Sequence, residues 1–214
     1  MAIKPILFNT PMVRAVRSDI KTETRRLINP RYRDDEYSFQ IITNAHTGEF
    51  VRVEMIDEWE NCTRFLPPQY LPGDILWVRE SWAVAADLPG ISNGGFVYRS
   101  DYTDYELSQL KEKHFCWKPS IHMPKAAART FVKVTDVQAE RLQNITATGI
   151  RAEGLGTGAA FCGDPLAREE FKILWDSTVP KSKLPQCGFA ANPWVWAYRF
   201  ERCENPFAEK EVEE

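Results

Sequence analysis

Several features are missing from this sequence, and each absence removes a class of protein. No stretch approaches the roughly 18–20 consecutive apolar residues of a membrane-spanning helix, so no membrane partner is expected. The opening MAIKPILFNTPMVRAVRSDI lacks the charged head, apolar run and small-residue cleavage site of a secretory signal. A cytoplasmic location is therefore expected, with the cysteines reduced. The five cysteines, at 62, 116, 162, 187 and 203, are odd in number and irregular in spacing, which argues against a disulfide framework. No CxxC pair is present, and the three histidines (46, 114, 122) form no HExxH arrangement, so neither a metal nor a cofactor is expected. No internal repeat of useful length appears. Disorder is excluded by composition, since 43% of the 214 residues are hydrophobic and 12% aromatic.

That apolar content suffices for one substantial core. One domain over 1–204 is expected, followed by an acidic tail at 205–214 that loses its pattern and is read as disordered. Ile3–Phe8 reads as a strand, and Thr10-Pro11 as an N-cap-like residue and first-turn proline opening a helix over 12–20. KTETRRLI (21–28) leaves a turn as a strand, and NPRYRDDE (29–36) is a loop. Strands follow at Ser38–Thr43 and Glu49–Ile56, joined by NAHTG. After the turn-rich PPQYLPG (67–73) come a strand at 74–80, another around 95–99 and a short helix around 103–113. Thr130–Leu142 alternates most clearly, ahead of a helix at 145–153, a second at 166–176 with Phe171, Leu174 and Trp175 on one face, and a last strand at 194–200. Strands in runs, without regular βαβ alternation, predict an α+β mixed β-barrel with short flanking helices and loop insertions. Gly154-Leu155-Gly156-Thr157-Gly158 follows a helix and opens none, so it is read as a loop and not as a phosphate cradle.

The net charge of −3 conceals strong segregation. Residues 1–33 carry a net +6 and 117–133 a net +4, whereas 34–60 carry −7 and 201–214 carry −4. Two basic segments could form one positive surface for a nucleic-acid backbone, or simply be solvated faces.

Lys21-Thr22-Glu23-Thr24-Arg25-Arg26 gathers an amine, hydroxyls and guanidiniums at a helix-to-strand junction. A threonine hydroxyl becomes a nucleophile when a base takes its proton, and a lysine depressed by burial or by cations such as Arg25 and Arg26 can be that base. The same run also suits a plain surface strand. GDILWVRESW contributes Arg79, Glu80 and Trp82, and WKPSIHMPKAAAR contributes Trp117, Lys118, Ser120, His122, Lys125 and Arg129. Both combine flat aromatics with hydrogen-bonding heads, as base-stacking surfaces do. Trp77, Trp175, Trp194 and Trp196 lie on patterned elements and are expected in the core. A structural role for His122, bonded to a loop carbonyl, is more natural than a catalytic one.

Taken in order, ILFNTPMVRAVRSDIKTETRR, LPGDILWVRESW, WKPSIHMPKAAAR, VTDVQAERLQNITATGIRAEGL, LWDS and NPWVWAYRFER resemble the ASCH-domain proteins of phages and prophages, which have PUA-like barrels. The resemblance implies recognition of a nucleoside or a nucleic acid, either RNA or modified DNA. It also implies, by similarity to the small bacterial N4-acetylcytidine amidohydrolases, that Lys21 and Thr24 of the K-T-x-T element act with a glutamate on a later helix, here Glu153. Lys21 would be base, Thr24 nucleophile, and Glu153 a proton donor or orienting carboxylate. This chain is about twice as long as those enzymes, with insertions across 29–70, 83–116 and 154–191. A non-catalytic nucleic-acid-binding module, with Lys21, Arg25, Arg26, Lys118, Lys125 and Arg129 in an open groove, is the alternative. A host protein bound through the acidic 34–60 segment is a third reading.

Overall fold

A computed structural model describes residues 1–28, 38–43, 46–47, 50–56, 62–87, 95–155 and 164–208. The 29–36 loop, positions 44–45 and 48 of the NAHTG connection, residues 156–158 of the glycine run and residues 209–214 of the tail lie outside that set, as does much of the acidic 34–60 segment.

The fold is mixed α+β. Its largest sheet has the order β1-β6-β9-β10-β2, built from β1 (Ile3–Leu7), β6 (Ile75–Arg79), β9 (Phe131–Arg141), β10 (Trp194–Cys203) and β2 (Glu23–Leu27). β1 runs parallel to β6, while β6 with β9 and β10 with β2 are antiparallel. β1 and β2 are the edges, so the ladder among the described residues is an open one. A three-stranded antiparallel sheet comprises β3 (Ser38–Thr43), β4 (Phe50–Ile56) and β5 (Cys62–Leu66), and β7 (Trp82–Val84) pairs with β8 (Phe96–Tyr98). The chain divides into two compact units, one drawing on residues 20–74 and 134–201, the other on 2–19, 75–133 and 202–214.

In the first unit the core gathers where α3 (Ala147–Ala152) and α4 (Asp164–Thr178) bury their apolar stripes. Ala167, Phe171 and Trp175 recur at the four-residue spacing of one helical face and are buried, with Val179 just beyond the helix. Leu174 is only half-buried. Each buried large side chain contributes about 1.5–3 kcal/mol relative to exposure. The Trp175 indole donates to the Cys187 carbonyl at 2.8 Å, which ties α4 to the short helix α5 (Leu184–Cys187). Thr146 caps α3 by accepting from the Gly149 N–H at 3.1 Å. The helix then ends in a Schellman turn, with the Gly154 N–H on the Arg151 carbonyl and the Leu155 N–H on that of Ile150. Gly154 takes φ +88°, a conformation only glycine adopts at little cost, and that turn sets Glu153 at the C-cap.

In the second unit α1 (Thr10–Arg17) buries Val13 and Val16. Its cap is Asn9, whose side chain accepts from the Met12 N–H at 3.0 Å. Thr10, expected in that role, is the first helical residue, because Asn9 still has extended backbone and its oxygen reaches three residues ahead. Thr103 and Glu106 form a capping box that starts α2 (Asp104–Glu112). Trp82, Tyr98, Met123 and Ala127 make a satellite core under the β7–β8 hairpin. Residues 205–208 lie in a turn whose Phe207 ring meets Phe131 edge-on, 6.0 Å between centroids. Among the described residues no helix is long and apolar enough to cross a membrane, and no group of His, Cys, Asp or Glu is placed to hold a metal ion.

Candidate functional site

The densest buried polar cluster lies in the first unit, at the start of β2 and the end of α3. Lys21, 1% exposed, donates from Nζ to the Glu153 carbonyl at 2.9 Å and closely to Glu153 Oε2. Glu153 is itself 4% exposed. Arg25 donates to Glu153 Oε1 at 3.2 Å, Glu140 Oε1 at 2.7 Å and Glu23 Oε2 at 3.3 Å. Glu23 also accepts from Arg199 Nε at 2.7 Å. Two bonds fix the cluster to the backbone: the Thr22 N–H on the Ala152 carbonyl and the Phe200 N–H on the Thr22 carbonyl. α3 comes close enough that a Cβ on Gly149 would stand 3.0 Å from Arg25 Nη2.

Burial lowers the Lys21 ammonium from its ordinary 10.5, outweighing the Glu153 carboxylate, which raises it; Arg26 and Arg25 lower it further. The three carboxylates around Arg25 keep its guanidinium charged against the cost of burial.

Strand alternation separates the two hydroxyl-chemistry candidates. Arg25 turns toward Glu153, so Thr24 faces the other side, opposite Tyr198 in the β2–β10 register. Thr24 is fully buried, and its Oγ1 has no hydrogen-bond partner among the described residues. The Tyr198 hydroxyl accepts from the Gln69 N–H at 3.2 Å, and burial pushes this phenol up. The structure thus joins Lys21 to Glu153 directly and leaves the Thr24 hydroxyl uncommitted.

A cavity of about 480 Å³, within the range of small-molecule pockets, follows β2 along residues 25–27. Three consecutive strand residues line it, so it touches both faces of this edge strand. Gln69, Trp175, Val179, Pro180, Lys183 and Cys187 are among the rest of its lining. Trp175 could be expected in the core from its helical spacing, and Glu23 lies inside the 21–26 run, but nothing in the sequence signalled that Gln69, Lys183 or Glu140 join this region.

No family model and no curated protein matches this sequence. Among solved structures the chain is similar to an ASCH domain from Lactobacillus crispatus JV V101, at 11% identity and a TM-score of 0.38, over 94% of this chain and 79% of that one.

The other sequence candidates lie in the second unit. Arg129 donates to Glu80 at 3.0 and 3.2 Å and to Asp101 at 2.6 and 2.9 Å, and its guanidinium lies 3.7 Å from the Tyr98 ring centroid. Glu80 is buried and also accepts from Ser100. Arg79 donates to the Ile121 carbonyl and lies over Trp77. Trp82 is buried, with Phe96 edge-on and Lys118 Nζ 5.1 Å from its ring centroid, and Lys118 pairs with Asp87 at 3.2 Å. Trp117 is half-buried, edge-on to Tyr102 and Phe115. Ser120 is half-buried and His122 exposed on one short turn. Lys125 is exposed with Nζ 3.7 Å over Phe207. Of the six residues expected in an open positive groove, Lys21, Arg25, Lys118 and Arg129 each have a carboxylate partner within their own unit.

Proposed function

We propose that this protein recognises a nucleobase in the β2 cavity and hydrolyses N-acylated nucleosides of the N4-acetylcytidine type. The observation that carries the reading is a pair of buried costs three positions apart in sequence: the Lys21 ammonium, taken out of water beside Glu153, and the Thr24 hydroxyl, taken out of water with no partner among the described residues. An unpaired buried hydroxyl costs about 1–3 kcal/mol, and such costs concentrate where chemistry needs them. The resemblance to ASCH-domain amidohydrolases supports the same residues.

In this mechanism Lys21, as free amine, takes the Thr24 hydroxyl proton while Oγ1 attacks the amide carbonyl. Collapse of the tetrahedral intermediate breaks the carbon–nitrogen bond, and the proton passes to the departing amino group. The acyl ester on Thr24 is then cleaved by water, releasing the carboxylic acid and restoring the hydroxyl. Glu153 orients Lys21, and Arg25 orients Glu153. Thr24 faces away from Arg25, but Lys21 precedes β2, which begins at Glu23, so its side chain is not fixed by the strand's alternation; in this mechanism its amine swings to Oγ1 as substrate binds. Arg25, which donates to Glu153, lines the cavity; Lys21, Thr24 and Glu153 adjoin it in sequence or through Arg25 and are not among its lining residues.

Turnover of N4-acetylcytidine and related N-acyl nucleosides by the purified protein tests this, with Thr24→Ala and Lys21→Met in parallel. Release of the free amine by the wild type alone is expected. A folded wild type inert across the panel refutes the hydrolase. The open-groove alternative is weakened by the carboxylate partners of Lys21, Arg25, Lys118 and Arg129.

A further inference from the structure

We infer that the ligand of the β2 cavity carries a phosphate, so that the substrate is a nucleotide unit and not a bare nucleoside; this rests on the nucleobase reading above. A neutral acylated nucleoside needs only apolar walls and hydrogen-bonding groups, which Leu27, Trp175, Val179, Pro180 and Gln69 provide. The lining has more than that. It includes three cations, Arg25, Arg26 and Lys183, and no acid.

These cations are not equivalent. Arg25 is balanced by Glu23, Glu140 and Glu153. Lys183 is exposed at the cavity and has no ion pair among the described residues. Lys181 is exposed on the same turn, Lys181–Lys183, and is likewise without an ion pair there. No acidic residue occurs in 177–200, and Asp176, the acid that packs on this wall, spends Oδ1 on the Phe189 N–H at 2.8 Å, so neither Lys181 nor Lys183 is paired by a carboxylate of the wall. Indole and proline seat a planar base, and an ammonium at the edge of that seat is where a sugar phosphate finds its counter-charge. A phosphate monoester brings about −1.5 to −2 charges at neutral pH, and an ammonium meets it as a point charge without needing the bidentate geometry of arginine.

Calorimetric titration decides the matter, using N4-acetylcytidine, its 5′-monophosphate, inorganic phosphate and a short single strand containing the same base, each at low and high salt. The monophosphate is expected to bind about three- to tenfold more tightly than the nucleoside at low salt, with the ratio shrinking as salt rises. In Lys183→Ala that ratio falls toward one, and in Lys183→Arg it is kept. Inorganic phosphate at millimolar concentration then weakens the monophosphate and leaves the nucleoside unaffected. A strand that binds more tightly than the monophosphate, with a steeper salt dependence, identifies the phosphate as part of a polymer; equal binding identifies a free nucleotide. Equal affinities for nucleoside and monophosphate, or a ratio indifferent to Lys183→Ala, overturn this inference while leaving the nucleobase reading standing. Binding of none of the base-containing ligands overturns both.

Discussion

Removing the Glu153 charge is the sharpest test of the buried cluster. In Glu153→Gln the Lys21 ammonium keeps the 2.9 Å bond to the backbone carbonyl but loses the carboxylate as its counter-charge. The side chains of both partners are almost wholly inaccessible, 0% for Lys21 and 4% for Glu153, so solvent cannot screen the loss. Breaking such a pair from one side costs about 3–5 kcal/mol, which for a chain of this size lowers Tm by about 6–20 °C. The pH dependence has a definite sign. Burial already holds Lys21 below 10.5 in the folded state, and Glu153 opposes that lowering. Without the carboxylate the folded value drops further, so between it and 10.5 the unfolded chain binds more protons and stability rises with pH. The deficit of Glu153→Gln is therefore largest near neutrality and shrinks toward pH 10, by at most about 1.4 kcal/mol per pH unit. Lys21→Met combined with Glu153→Leu removes both charges and is expected within about 1 kcal/mol of wild type, or above it. Denaturation melts from pH 6 to 10 measure all three proteins. A Glu153→Gln melt within 2 °C of wild type at every pH would refute the pairing argument.

Thr24→Val replaces an unpartnered buried hydroxyl by a methyl of similar size; it is expected to raise stability by about 1 kcal/mol while turnover of the acylated nucleoside is lost, and a destabilised variant in thermal melts would mean that the hydroxyl has a partner after all. Gly154→Ala forces a Cβ into the left-handed backbone that ends α3, costing about 1–2 kcal/mol; because that turn sets Glu153, kcat is expected to fall with little change in KM, and a kcat equal to wild type counts against the positioning role. Asn9→Ala removes the α1 cap for about 1 kcal/mol, read as a lower denaturant midpoint with unchanged slope, and Asn9→Asp is expected to restore it.

The elements legible in the sequence are those whose own pattern dictates burial. β9 alternates, and Phe131, Val132, Val134 and Val137 are buried; α4 repeats its apolar residues every four positions. β7 has three residues and β5 five, and both form because a neighbouring strand presents hydrogen-bonding groups, a cause absent from their own sequence. Asn9 and Thr10-Pro11 both fit a capping motif in sequence, and only the backbone angles separate the two.

The site divides along the same line, between what neighbours in sequence determine and what neighbours in space determine. Lys21 and Glu153 are 132 positions apart, so no spacing rule connects them, and the resemblance to a known family named them before any geometry did. The positive charge of 117–133 suggested an anion surface, yet Arg129 meets Glu80 and Asp101 from outside that window. Summing charges over a segment overstates the free cations wherever acids distant in sequence pack against them. Conversely, the 177–200 segment has only three basic residues, yet Lys183 lines the cavity without an ion pair among the described residues. Unpaired charge next to an open volume points to a ligand more directly than charge density does, which favours β2 and the turn at 181–183 over the basic segments.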